Sequence, residues 1–161
     1  MSRKGPTKIR NLEPDPVYHS LIVARLINAA MRHGKKEPAR GQVYQALELF
    51  QKEIPAKTDL LTVLEQSLDN IKPRVEVRPR RIGGAVYQVP TPVRGHRQNS
   101  LALRWLIDVS RAKPNKQFHS FAQKLSSELI LALKNEGSAV AKKAEVERMA
   151  EANKAFAHLR W

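Results

Sequence analysis

Histidine, carboxylate and cysteine side chains do most bond-making chemistry in proteins, and none is arranged for it here. The five histidines, His19, His33, His96, His119 and His158, are scattered, without the paired spacing of a metal site or of a base beside a nucleophile. They read as surface or nucleic-acid-facing residues. Acidic residues stand mostly singly among basic ones, as at Glu145, Glu147 and Glu151, which is the spacing of solvated ion pairs along a helix. The absence of cysteine excludes disulfides, Cys-ligated zinc, iron–sulfur clusters and thiol catalysis. Gly34-Lys35-Lys36 lacks the earlier glycine and the following Ser/Thr of a phosphate-binding loop, and Gly83-Gly84 is not a dinucleotide fingerprint. The pattern predicts no enzyme, no metal and no cofactor.

The chemistry on offer is positive charge. Among 161 residues, 29 Lys+Arg oppose 15 Asp+Glu, a formal net charge of +14. The excess is clustered: +6 over residues 1–40 (nine basic, three acidic), −3 over 41–71 (two against five), +6 over 72–97 (seven against one) and +5 over 98–161 (eleven against six). Basic clusters flanking an acidic stretch favour a polyanionic partner over a uniform solubilising coat. A membrane surface would require a basic amphipathic helix with aromatic anchors, and none is visible. No apolar run reaches the ~18 residues of a membrane span. The basic N-terminus has no apolar segment after it and does not read as a secretory signal. The expectation is a soluble nucleic-acid binder with no small-molecule substrate, and 42% hydrophobic residues suffice for a packed core.

Several elements must carry these cations. Residues 1–14 hold Arg3, Lys4, Lys8 and Arg10 with few apolar residues, predicting a flexible basic arm, and residues 15–161 form one domain. Asp15-Pro16 is a helix-start signal, and Val17 to Met31 is apolar nearly all round, predicting a central buried helix that stops at Gly34 and leaves Lys35 and Lys36 on a turn. Pro38 opens a second helix with Val43, Ala46, Leu47 and Phe50 on one face, ended by Pro55. A third runs from Asp59 to before Pro73, and these three could form the core. The period then becomes two. Arg74, Arg78 and Arg80 fall on one strand face with Val75 and Val77 opposite, Ile82-Gly83-Gly84 turns, and Ala85–Val89 returns. This hairpin, at about 73–90, is marginal alone in water, so one with Arg74, Arg78, Arg80, Arg81 and Arg94 on or beside it should project and be held by a partner.

From Gln98 the helical period returns, and Arg97, Arg104 and Arg111, spaced by seven, fall on one face within ~20°. They predict a basic stripe, partly neutralised by Asp108. Phe118, Phe121, Leu125 and Leu129 line a further helix closed by Asn135-Glu136-Gly137, and a last helix from about Ser138 carries Lys142 and Lys143. Most aromatics (Phe50, Trp105, Phe118, Phe121, Phe156) sit at helical core spacing, while Tyr87 and Trp161 could pack or stack on bases. The fold class is mainly α, one domain of about six helices with a protruding two-stranded hairpin.

Four stretches carry a resemblance. Ile71 to Pro90, Ser100-Leu101-Ala102-Leu103-Arg104-Trp105-Leu106, Arg32-His33-Gly34-Lys35-Lys36 and Met149 to Trp161 closely resemble the family of bacterial-type small-subunit ribosomal protein seven, in order and at matching spacing. Gln42 departs from the family's usual apolar residue, and residues 115–135 follow its pattern loosely. The resemblance implies a primary binder of small-subunit rRNA that organises the 3′ major (head) domain, with its hairpin beside the E-site tRNA and mRNA exit region. It implies RNA contacts at Arg3, Lys4, Lys8, Arg10, Lys35, Lys36, Arg74, Arg78, Arg80, Arg81, Lys142 and Lys143. Charge spacing adds Arg94, Arg97, Arg104 and Arg111. Other head proteins and small-subunit ribosomal protein eleven are the protein neighbours implied. The location implied is a bacterial cytoplasmic ribosome, or that of an organelle encoding the chain. An architectural DNA-binding protein would share the charge and the basic hairpin, and an RNA-processing enzyme would need convergent carboxylates or histidines.

Overall fold

The computed structural model describes residue 5 and residues 11–55 and 58–160. Among these residues, six α-helices, a hairpin and a 3-10 helix follow in the order α1 (Leu21–Ala30), α2 (Lys36–Glu53), α3 (Leu60–Ile71), β1 (Val75–Ile82), β2 (Ala85–Pro92), α4 (Gly95–Ala112), α5 (Phe121–Leu133), α6 (Ser138–Ala152) and a 3-10 helix over Lys154–Leu159. The mainly helical single-domain reading holds. Helices α2 and α3 start and stop as the prolines and Asp59 dictate, except that α2 begins two residues before Pro38, which its first turn tolerates.

Helix α1 corrects the expectation at both ends. The Asp15 carboxylate accepts from the Val17 and Tyr18 amides, each at 3.1 Å, so it does cap a turn. That turn is broken at His19, whose φ is +48°, and Ser20 restarts the helix by accepting from the Ile22 amide. At the far end the chain leaves the helix at Met31, and His33 and Gly34 both take positive φ in the turn that follows, three residues earlier than Gly34 alone would suggest.

Nor is α1 the central helix. That place belongs to α5, which packs against α2, α3, α4 and α6. The core is shared by Leu26 and Ile27 of α1, Leu47 and Phe50 of α2, Leu64 and Ile71 of α3, Leu106 of α4, and Leu125 and Leu129 of α5. Sequence pattern hides the role of α5 because it buries Lys124, Ser126 and Glu128 beside its leucines. Each charge has a partner of its own. Lys124 Nζ donates to Lys113 O and Asn115 Oδ1, both at 2.6 Å, while the fully buried Glu128 accepts from the Ala139 amide at 2.9 Å and pairs with Lys113 Nζ at 2.8 Å. Gly137, before α6, has φ +93°, and a Cβ there would lie 2.9 Å from Glu128 Oε1. Gln42, the departure from the apolar pattern, accepts from the Ala122 amide at 3.2 Å and so satisfies one of the open N–H groups at the start of α5.

β1 and β2 pair antiparallel from Val75↔Pro92 to Ile82↔Ala85. The two-residue connection, Gly83 and Gly84 with φ +56° and +92°, has the signs a type I′ turn needs, which is why glycine fills both positions. The hairpin has support from within the chain, contrary to the expectation that a partner must hold it. Its base packs on α6 and the 3-10 helix, the Arg74 amide donates to Glu147 at 3.0 Å, and the Tyr87 and Phe156 rings meet at 5.3 Å. Phe156 is therefore a hairpin contact and not a member of the helical core, and Phe118 and Phe121 are only half-buried.

Candidate nucleic-acid interface

The sixteen predicted contacts separate into groups. Arg3, Lys4, Lys8 and Arg10 lie outside the described residues. Lys35, Lys36, Arg74, Arg81 and Arg94 are exposed, as is Arg104, and Lys142 is half-exposed. None of these seven side chains has a hydrogen-bond or ion-pair partner among the described residues, so their donors face solvent. Arg80 is half-buried and engaged.

The other four have intramolecular work. Glu76 is buried on the strand face shared with Arg78 and Arg80, which is thus not purely basic. Its carboxylate accepts from Arg78 Nε at 2.6 Å and from Arg97 Nε at 2.9 and 2.8 Å. Burial alone would raise the Glu76 pKa; the hydrogen bonds and charges of Arg97 and Arg78 outweigh it and hold the carboxyl below its ordinary value. Arg111 donates to Ala30 O at 2.9 Å, closing the C-terminus of α1, and lies over the Phe121 ring at 6.0 Å. Burial, then the neighbouring Arg32 charge, lowers its pKa. Lys143 donates to Asn70 O at 3.1 Å at the end of α3.

The predicted 97/104/111 stripe is therefore three different situations. Only Arg104 is an unengaged surface cation, and Asp108 acts on Arg111 instead of pairing with it. Spacing by seven places residues on one helix face but says nothing of what packs there.

Two clefts collect further cations. One of about 490 Å3 between the α1–α2 turn and the start of α5 is lined by Arg32, His33, Lys35, Arg111, His119 and Lys124. The other, about 400 Å3 between α1 and α4, is lined by Arg25, His96, Arg104, Asp108 and Arg111. Sequence patterning did not single out Arg25 and Arg32, although they share the seven-residue spacing that drew attention to α4. Among the described residues, no three His, Asp or Glu side chains are grouped to hold a metal ion. No helix among them is long and apolar enough to cross a membrane.

Fold and surface define a class: a basic, mainly helical protein whose open cations sit on a turn, a hairpin and helix starts. The family follows from comparison. The family model described as Ribosomal protein S7p/S5e matches residues 2–154, and the chain belongs to that family. It is 47% identical over 159 residues to small ribosomal subunit protein uS7 of Thermosipho africanus, covering 99% of both chains. To uS7 of Oleidesulfovibrio alaskensis it is 50% identical, and to that of Rubrobacter xylanophilus 48%, each over 161 residues and the whole of both chains.

Proposed function

We propose that this chain, a structural and non-enzymatic rRNA-binding constituent of the small ribosomal subunit by its family, is a primary binder that organises the 3′ major domain of small-subunit rRNA. Its hairpin lies near the E-site tRNA and the mRNA exit, with other head proteins and small-subunit ribosomal protein eleven as neighbours. The observation that carries this reading is the set of cations on separate elements whose side chains have no partner among the described residues: the exposed Lys35 and Lys36, Arg74 and Arg81, Arg94 and Arg104, and the half-exposed Lys142. Cations distributed in this way suit the converging phosphates of one large folded RNA better than a groove of duplex DNA. Arg3, Lys4, Lys8 and Arg10 extend the grip, and the acidic stretch 41–71, with Glu48, Glu53, Glu65 and Asp69 exposed, faces away from RNA.

Association is driven by release of counterions from neutralised phosphates. The full chain should bind a 3′-domain transcript in preference to 5′-domain and central-domain transcripts. Its log K should fall with log salt at a slope corresponding to roughly 6–10 phosphates. A slope near zero, or equal binding to all three transcripts, would overturn the proposal.

A further inference from the structure

Glu76 is the only acidic residue between Lys72 and Arg97, and it stands where strand β1 meets the start of α4. Arg97 lies in the first turn of α4, the positive end of the helix dipole, a turn that contains no acidic residue of its own. A cation there is electrostatically misplaced unless an anion is supplied from elsewhere. The hairpin supplies it, across 21 residues of sequence. Arg97 reaches the carboxylate through Nε and Arg78 through both Nε and Nη2, and their side chains remain 49% and 51% exposed for Arg78 and Arg97, while that of Glu76 is 9% exposed. An arginine has five N–H donors in a rigid plane, so each keeps donors directed away from Glu76.

We propose that Glu76 is a positioning residue of the RNA interface: a buried anion that pins one arginine of the hairpin and one of α4 at fixed spacing, so that they present a preformed two-pronged phosphate clamp. The inference rests on the reading of this surface as the RNA-binding one. It differs from a purely electrostatic view in the sign of one effect. Glu76→Gln raises the formal net charge from +14 to +15, so if charge alone matters, every polyanion should bind more tightly. With Glu76 as a pin, affinity for the 3′-domain transcript falls on the order of tenfold at fixed salt, because two charge-assisted contacts lose their preorganisation. Binding to heparin, which requires no fixed spacing, stays equal or increases.

The experiment compares the wild type, Glu76→Gln, Arg97→Lys and the Arg78→Ala/Arg97→Ala pair, with and without Glu76→Gln, on that transcript and on heparin. Arg97→Lys keeps the net charge but loses the planar Nε edge, so it too should weaken transcript binding while sparing heparin, and it decides the matter if Glu76→Gln does not fold. In the Arg78→Ala/Arg97→Ala background, Glu76→Gln should have no further effect on transcript affinity. If the loss persists there, Glu76 merely supports the fold and the proposal fails. If Glu76→Gln tightens transcript binding, or Arg97→Lys leaves it unchanged, the proposal fails while the RNA-binding reading stands. If the arginine pair can be removed without effect on the transcript, this part of the surface is not an RNA interface and both fall.

Discussion

Lys35 and Arg94 occupy the N-cap positions of α2 and α4 without making a capping hydrogen bond, whereas Ser20, Asp59 and Ser120 cap α1, α3 and α5 with their side chains. Cations at helix starts oppose the dipole and leave amides open, so folding alone would not select them. Open amides and a cation together do suit a phosphate. Lys35→Asp should therefore stabilise the protein by about 1 kcal/mol, raising Tm by about 2–4 °C, while weakening rRNA binding. Thermal melts and filter binding on the same preparation check both signs. Glu76 makes a second residue-level prediction. Its folded-state pKa lies below the ordinary 4.5. Its stabilising contribution is therefore complete above that value and lost as pH falls through the lower folded-state pKa. Melts between roughly pH 3 and pH 7 should show a drop at the acid end that is smaller in Glu76→Gln.

At the scale of elements, the hairpin depends on the C-terminal segment. Phe156→Ala removes the ring beneath Tyr87 and should loosen the hairpin by about 1–3 kcal/mol, leaving the far-ultraviolet helical signal unchanged. Faster tryptic cleavage after Arg80 and Arg81 would report it, the Arg78–Pro79 bond being resistant to trypsin. Equal cleavage rates in wild type and variant would show that the hairpin is held by other contacts. The elements also show which features sequence makes legible. Helices α2 and α3 and the hairpin are bounded by local signals, Pro38 and Pro55, Asp59 and Pro73, Gly83-Gly84, and so could be read directly. The start of α1 could not, because Asp15 does cap a turn and only the backbone reversal at His19 prevents that turn from continuing. The candidate site was legible as a set of cations but not as roles. Arg97 and Arg111 find their acceptors 21 and 81 residues away, at Glu76 and Ala30, and Lys143 finds Asn70 73 residues away. No periodicity encodes such partners.

For the whole molecule, charge acts as a sum only where side chains face solvent. Arg81, exposed and with no side-chain partner among the described residues, should behave additively: Arg81→Ala should weaken RNA binding across sequences and reduce the salt slope by about 1, with no change in Tm. Arg111→Ala should instead lower Tm, since Ala30 O would lose its donor. Measuring slope and Tm for the same variants separates surface cations from structural ones.

The hydrogen bond from the Arg74 amide to Glu147 also has a meaning in time. A chain is made from its N-terminus, and 73 residues separate the two partners. At roughly 5–20 residues per second, the hairpin emerges some 4–15 s before the helix that will seat it. During that interval the nascent chain exposes a cationic ribbon without its own support, in a cell full of RNA, so the later synthesis of α6 decides when this ribbon acquires its final shape.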